Sequence, residues 1–194
     1  MVVPLGEIID RGYDNEKIEN AFKKFSCHRE EDLENFLVRK AITYEKTDYG
    51  KTYLCVDKGK LEEGEFVILA YFSIAQRAVD ISELSNKRKR KVLGEYPGRD
   101  SVKAVPAFLI GQLGRCDDCT SEELSGQQIL NECYHAISLA ARIVGGKLLI
   151  LECREHMFEK FYEKQGFKKL YNDLNEEKLY TLYKQIDFKE YWKH

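Results

Sequence analysis

KAVPAFLIGQLGRCDDCTSEELSGQQILNECYHAISLAARIVGG, from Lys103 to Gly146, is the stretch that decides the fold. Ala104 to Arg115 is a largely apolar run that reads as a strand. A polar loop follows, and from Ser125 apolar residues recur at helical spacing for about five turns. Ile129, Leu130, Cys133, Ala136, Ile137, Ala140, Ala141 and Val144 fall on one stripe. Gly145 and Gly146 come next, where a left-handed C-terminal cap needs a residue without a Cβ. A loop running into a helix start leaves backbone N–H groups unpaired beside the positive end of the macrodipole, and that arrangement holds an anion such as phosphate. Taken alone, the pattern is more often a packing unit with nothing bound.

The chain has 194 residues, enough for a proper core, and its three prolines mark no linker, repeat or low-complexity tract. A single domain over residues 1–194 is expected. A formal net charge of −2 argues against a dedicated nucleic-acid binder. Twelve Tyr and ten Phe predict a core rich in ring packing. MVVPLGEIIDRGYD has neither a basic n-region nor a sustained apolar stretch, and no window reaches membrane-spanning length. The expectation is a cytoplasmic protein away from the membrane, its six cysteines carried as thiols.

Outward from the central stretch, the periodicity predicts helices over Asn15–Phe25 and Glu30–Ala41. It predicts strands over Lys51–Val56 and Phe66–Gln76, paired antiparallel. A short helix is expected around Glu83–Val92, a buried strand over Lys147–Glu152, and a helix over Glu155–Gln165 that stops at Gly166. Phe167–Leu170 and Leu179–Gln185 are weaker strand candidates. The order α-α-β-β-β-α-β-α-β-β predicts an α/β fold: a mixed sheet with helices on both faces.

This order, with several local strings, resembles the GNAT acetyltransferases, the acetyl-CoA-dependent N-acetyltransferase superfamily, over nearly the whole chain. FYEKQGF (Phe161–Phe167) after KLLILE looks like the family's helix with a catalytic tyrosine, followed by Gly-Phe. Three strings are similar to those of acetyltransferase toxins from toxin–antitoxin modules. FSCHREEDLENFL (Phe25–Leu37) resembles F-x-C-G-x-x-x-L-x-x-F-L, with His28 where glycine is usual. AYFSIA (Ala70–Ala75) resembles G-Y-(F/Y)-S-L-A, and VPAFLIGQLGRCD (Val105–Asp117) resembles VPAxxLGRLAVD.

The resemblance implies a GNAT-like fold whose central sheet is splayed between two parallel strands, ending near Arg115 and Glu152, with acetyl-CoA as co-substrate. It implies Leu113, Gly114 and Arg115 along the pantetheine arm, and Leu124, Ser125, Gly126 and Gln127 presenting amides to the pyrophosphate. Tyr162 would be the general acid that protonates the CoA thiolate. It also implies direct acetyl transfer to an amine on a small molecule or peptide. Within the toxin branch the acceptor would be aminoacyl-tRNA, with a cognate antitoxin as partner and a dimer open. The loop departs from the family's (Q/R)-x-x-G-x-(G/A): Leu124 replaces the first glycine, and Asp117, Asp118, Glu122 and Glu123 make the approach acidic. That erosion motivates a third reading, a catalytically inactive binding or regulatory module.

Rival chemistry is weaker. Cys116-Asp117-Asp118-Cys119 has metal or redox spacing, but Cys133 and His135, two apart on a helix, point about 200° from each other and hardly share one ion. No metal is expected. Lys87-Arg88-Lys89-Arg90-Lys91 is the one dense basic run; a solvated face is its commoner meaning, RNA phosphate contact the functional one. His28, His135, His156 and His194 pair with no nucleophile in the sequence.

Overall fold

The apolar runs become the strands of one seven-stranded mixed sheet in the computed structural model, which describes residues 1–192; His194 lies outside them. The strands are β1 (Val2–Pro4), β2 (Lys51–Val56), β3 (Ile68–Asp80), β4 (Ala104–Arg115), β5 (Leu148–Cys153), β6 (Lys168–Lys169) and β7 (Tyr180–Gln185). Their order across the sheet is β1-β2-β3-β4-β5-β7-β6. The helices are α1 (Leu5–Asp10), α2 (Asn15–Lys24), α3 (Glu31–Arg39), α4 (Ala41–Lys46), α5 (Lys58–Glu62), α6 (Asn86–Leu93), α7 (Gly126–Val144) and α8 (Glu155–Met157). The chain groups into two compact units, Met1–Ala75 with Gly111–Ala136 and Gln76–Ile110 with Ile137–His194.

In the first unit β2 pairs antiparallel with both β1 and β3, with Tyr53 opposite Phe72 and their rings stacked 5.0 Å apart. The spacing that predicted α2 buries Ile18, Ala21 and Phe22, and the Asp14 carboxylate caps its start by accepting from the Glu16 amide at 2.9 Å. Leu5, Leu37, Leu54 and the wholly buried Tyr71 join them in one core. The Tyr71 hydroxyl donates to the Leu33 carbonyl at 2.6 Å, so the ring fills the core while its polar end is satisfied. Glu45 on α4 is buried yet accepts from the Thr52 amide at 2.9 Å and meets Lys51 Nζ at 3.2 Å. The short elements β1, α1, α4 and α5 carry too few residues for a visible period.

In the second unit β4 and β5 run parallel, Phe108–Ile110 against Leu149–Leu151, and β5 pairs antiparallel with β7 along its length. Leu148, Ile150, Val79, Ile81, Val92, Val105, Leu170 and Tyr183 form its core. On α7, which passes from the first unit to the second after Ala136, the predicted stripe buries Ile129, Leu130, Cys133, Ala136, Ile137 and Ala141; Val144 is 62 % exposed, so the buried face ends a turn earlier than the sequence suggests. Gly145 and Gly146 take φ of +76° and +104°, as a left-handed cap requires. The expected helix over Glu155–Gln165 is broken up: α8 is one turn, and Phe158–Tyr162 is a π-helix.

Candidate cofactor loop and buried tyrosine

β4 ends at Arg115, and α7 begins eleven residues later at Gly126. The loop between them is closed on itself. Arg115 Nη1 donates to the Leu124 carbonyl at 2.9 Å, bringing the strand end and the helix start together. Two reciprocal caps shape the interval. Thr120 and Glu123 form one: the Thr120 amide donates to Glu123 Oε2 at 2.7 Å and the Glu123 amide to Thr120 Oγ1 at 3.3 Å. Ser125 and Gln128 form the other, the Ser125 amide on Gln128 Oε1 at 2.7 Å and the Gln128 amide on Ser125 Oγ at 3.2 Å. S-x-x-Q ahead of an apolar run is a readable cap signature, and it marks Gln128 as a loop-shaping residue that the family strings do not pick out.

The four residues expected to present amides therefore divide. The Leu124 amide is spent on the Thr120 carbonyl at 3.1 Å and that of Ser125 on Gln128. The amides of Gly126 and Gln127 make no hydrogen bond among the described residues, while Gln127 Nε2 reaches along the helix to Asn131. Leu124 packs its side chain against the core of the first unit, and neither Leu124 nor His28 has a positive φ. Leucine and histidine thus stand in the two glycine positions without backbone strain.

The acidic approach is partly neutralised. Asp117 Oδ2 accepts from the His28 amide at 2.8 Å and from His28 Nδ1 at 2.6 Å. Those bonds hold the Asp117 carboxyl below its usual range, and the same carboxylate raises His28. Glu123 is likewise held low by the Thr120 amide. The loop keeps its negative charges, with Asp117 held by His28 and Glu123 by the loop's own Thr120 amide.

Leu113, Gly114 and Arg115 lie at the end of β4, where Cys116 donates its amide to the Leu69 carbonyl at 2.8 Å. Gly114 is buried under α3: a Cβ there would sit 2.5 Å from Leu33 Cδ1, so the leucine side chain would have to shift to admit one.

Tyr162 belongs to the second unit. It is 7 % exposed and closes the π-helix, its ring edge-on to Phe161 at 5.0 Å and Phe167 at 5.5 Å. Wide i→i−5 bonds place it: Glu163 donates to the Phe158 carbonyl at 2.9 Å and Phe167 to the Tyr162 carbonyl at 3.1 Å. Gly166, φ +81°, turns the chain back so that Phe167 packs on the tyrosine. π-turns of this kind concentrate at functional sites.

All six cysteines are buried free thiols, including Cys116 and Cys119, which sit in the core and not in an open loop. Burial raises Cys27 to about 11 and Cys55 to about 12. Among the described residues no group of His, Cys, Asp or Glu is arranged to hold a metal ion, and no helix is long and apolar enough to cross a membrane. The basic run lies on α6 and is half structural. Arg88 donates to the carbonyls of Lys169 and Leu170 at 2.6 and 3.3 Å, and the buried Lys89 donates to Val102 at 2.9 Å. Lys87, Arg90 and Lys91 are exposed.

No family model matches the sequence, and no curated protein is significantly similar to it. Solved structures share its fold end to end. A tyrosine-to-phenylalanine variant of the toxin AtaT, bound to the C-terminus of the antitoxin AtaR, aligns with a TM-score of 0.67 at 16 % identity, covering 100 % of this chain and 98 % of that one. AtaT complexed with acetyl-methionyl-tRNAfMet aligns at 0.65 and 17 %, covering 93 % and 92 %. A tyrosine-to-phenylalanine variant of KacT aligns at 0.66 and 17 %, covering 93 % of each. At such identity the likeness establishes the fold, the GNAT-like mixed sheet that the sequence strings imply.

Proposed function

We propose that this chain is an N-acetyltransferase that moves the acetyl group of acetyl-CoA directly to an amine. The observation that carries the reading is the helix start: two unspent amides, Gly126 and Gln127, follow an Arg115 side chain pinned to the loop, and the leucine in the glycine position is turned into the core. A pyrophosphate is the natural occupant of such a corner. The fold it shares with AtaT structures bound to acetyl-CoA supports the same reading.

When bound, acetyl-CoA supplies an activated acetyl thioester. The amides of Gly126 and Gln127 and the Arg115 guanidinium hold its diphosphate, and main-chain groups of Leu113, Gly114 and Arg115 run along its arm. Tyr162 gives a proton to the departing thiolate. A thiol of pKa about 8.5 takes a proton from a tyrosine near 10 only when the two are held together, and the rings of Phe161 and Phe167 fix the phenol for that. The test is a CoA-release assay over amine classes beside Tyr162→Phe, which should lose about 10²-fold or more in turnover. Its acetyl-CoA affinity should stay within about threefold. Unchanged turnover would remove Tyr162 from the mechanism.

A second reading is a cytoplasmic toxin that acetylates aminoacyl-tRNA under the control of an antitoxin. AtaT with acetyl-methionyl-tRNAfMet and with its antitoxin favours it. The internal use of Arg88 and Lys89 reduces the basic surface it would draw on. Growth arrest on induction, relieved by a small co-encoded protein, would decide for it. Calorimetry that gave no heat at millimolar acetyl-CoA would instead leave an inactive binding module.

A further inference from the structure

An amine must shed a proton before or as it attacks a thioester, and neither Tyr162 nor the phosphate loop is a base for it. We propose that Glu152 is that base and that the cavity above it receives the acceptor amine; this rests on the acetyl-transfer reading given above.

Along β5, Leu148, Ile150 and Glu152 share one face of the strand. The first two are buried in the core of the second unit, and Glu152 continues their row where that core ends. Its side chain is 23 % exposed at the floor of a cavity of about 440 Å³, walled by Arg77 from β3, Thr181 from β7 and the loop that follows Tyr171. Thr181 is the register partner of Glu152 across the ladder. Arg77 Nη1 meets Glu152 Oε1 at 3.1 Å. That contact fixes the carboxylate, while no hydrogen bond to Oε2 exists among the described residues. The charged or titratable groups around it are Arg77, Tyr171, Asp173, Glu176 and Glu177. Of these, Tyr171 is tied by its hydroxyl to the Asp80 carbonyl, and Asp173, Glu176 and Glu177 are exposed on the outer loop. Glu152 is the half-buried carboxylate on a rigid strand, one residue from the end of β5.

In the step, the acceptor ammonium gives one proton to Glu152. The freed nitrogen lone pair attacks the thioester carbon, the C–N bond forms and the C–S bond breaks. The thiolate takes its proton from Tyr162, and the nitrogen's second proton leaves through solvent to restore the phenol. Glu152 returns its proton to water.

The experiment measures kcat/KM against pH with spermidine, glycinamide and methionyl-tRNA as acceptors. Each probe that the wild type acetylates is then run with Glu152→Gln, which preserves shape and the contact to Arg77. On those probes the variant should lose about 10²–10³-fold in kcat/KM. It should also lose the acid-side fall in rate that the wild type shows. Acetyl-CoA affinity and thermal midpoint should not move. Wild-type rates and an intact acid limb in Glu152→Gln would overturn the assignment and leave acetyl transfer standing. Transfer to none of the probes by the wild type would overturn both.

Discussion

Gly114 stands at the junction of two explanations, and substituting it separates them. Glycine at the end of β4 suits a cofactor arm that approaches the backbone closely, but α3 gives it a second reason to be there. A methyl group at this position would sit 2.5 Å from Leu33 Cδ1 and 3.3 Å from its Cγ and Cδ2. Carbon atoms pack at about 3.5–4.0 Å, so the overlap with Cδ1 is about 1 Å. Rotating the end of the leucine does not clear Cγ, and its backbone is tied: the Leu33 carbonyl accepts from Tyr71 at 2.6 Å and its amide donates to Glu30 at 2.9 Å. Overpacking of this kind costs about 1–3 kcal/mol, a fall of about 2–12 °C in melting midpoint for a chain of this size. Leu33→Ala alone, at a half-buried site, should cost less than the about 2–5 kcal/mol of a fully buried leucine. The double variant should be more stable than the sum of its parts by about 1–2 kcal/mol, because the new methyl occupies space the leucine vacates. Thermal melts of the four proteins, with acetyl-CoA calorimetry on each, measure both explanations. Strict additivity of the melts would refute the packing argument. Loss of acetyl-CoA binding in both Gly114→Ala backgrounds, despite restored stability, would make the glycine the cofactor's requirement.

Three further outcomes follow from the same geometry. Ser125→Ala removes the cap of α7 and strands Gln128, so it should cost about 1 kcal/mol in stability and weaken acetyl-CoA binding through a frayed helix start; a melt and a titration read the two effects. His28 is raised by Asp117 and Asp117 is lowered by His28, so the pair's stabilisation should be present between the ordinary values, about 3.9 and 6.5. It should fade as pH rises through the elevated histidine value or falls through the depressed aspartate one; a midpoint difference between wild type and His28→Ala that is larger at pH 9 than at pH 5 contradicts this. On α6, Arg88→Ala should destabilise by about 1.5–3 kcal/mol through two lost carbonyl contacts, whereas Lys87→Ser with Arg90→Ser and Lys91→Ser should leave the melt within about 0.5 kcal/mol.

The long elements were legible because their periods are long. β2 and β4 match their predicted bounds, and α2 and α7 differ from theirs by a residue or so, since alternating or helical burial runs through six residues or more. β1 with three residues and α4 with six show no period, and what defines them is tertiary: β1 pairs with β2, and Glu45 of α4 is bonded to the start of β2. The π-helix escaped the helical reading because Phe158 and Tyr162 at i,i+4 suit an α-helix equally well, and i→i−5 bonds such as that from Glu163 to Phe158 are what distinguish the wider turn. At the candidate site, Tyr162 and the helix start were visible in the strings. The contact of Leu33 on Gly114 and that of Arg77 on Glu152 join residues 81 and 75 positions apart, and no local pattern carries such pairings.

The acidity of the loop is the feature of the sequence that most opposes a bound diphosphate, and the fold answers it by spending charge locally. An ionised carboxylate repels an anion in proportion to what remains unsatisfied and to how little water lies between them. Asp117 is occupied by two donors of His28, and Glu123 by the Thr120 amide, each bond lowering the carboxyl's protonation while drawing its lone pairs onto the backbone. Asp118 and Glu122 are exposed, where water and salt attenuate them over about 8–10 Å. Against these stand the Arg115 guanidinium and a helix end worth about half a positive charge, both fixed by hydrogen bonds at the point where the amides of Gly126 and Gln127 are free. His28 and the Thr120 amide hold two of the acids, the Ser125–Gln128 cap and the Arg115 contact hold the donors, and a family-like glycine at position 124 is not needed for either.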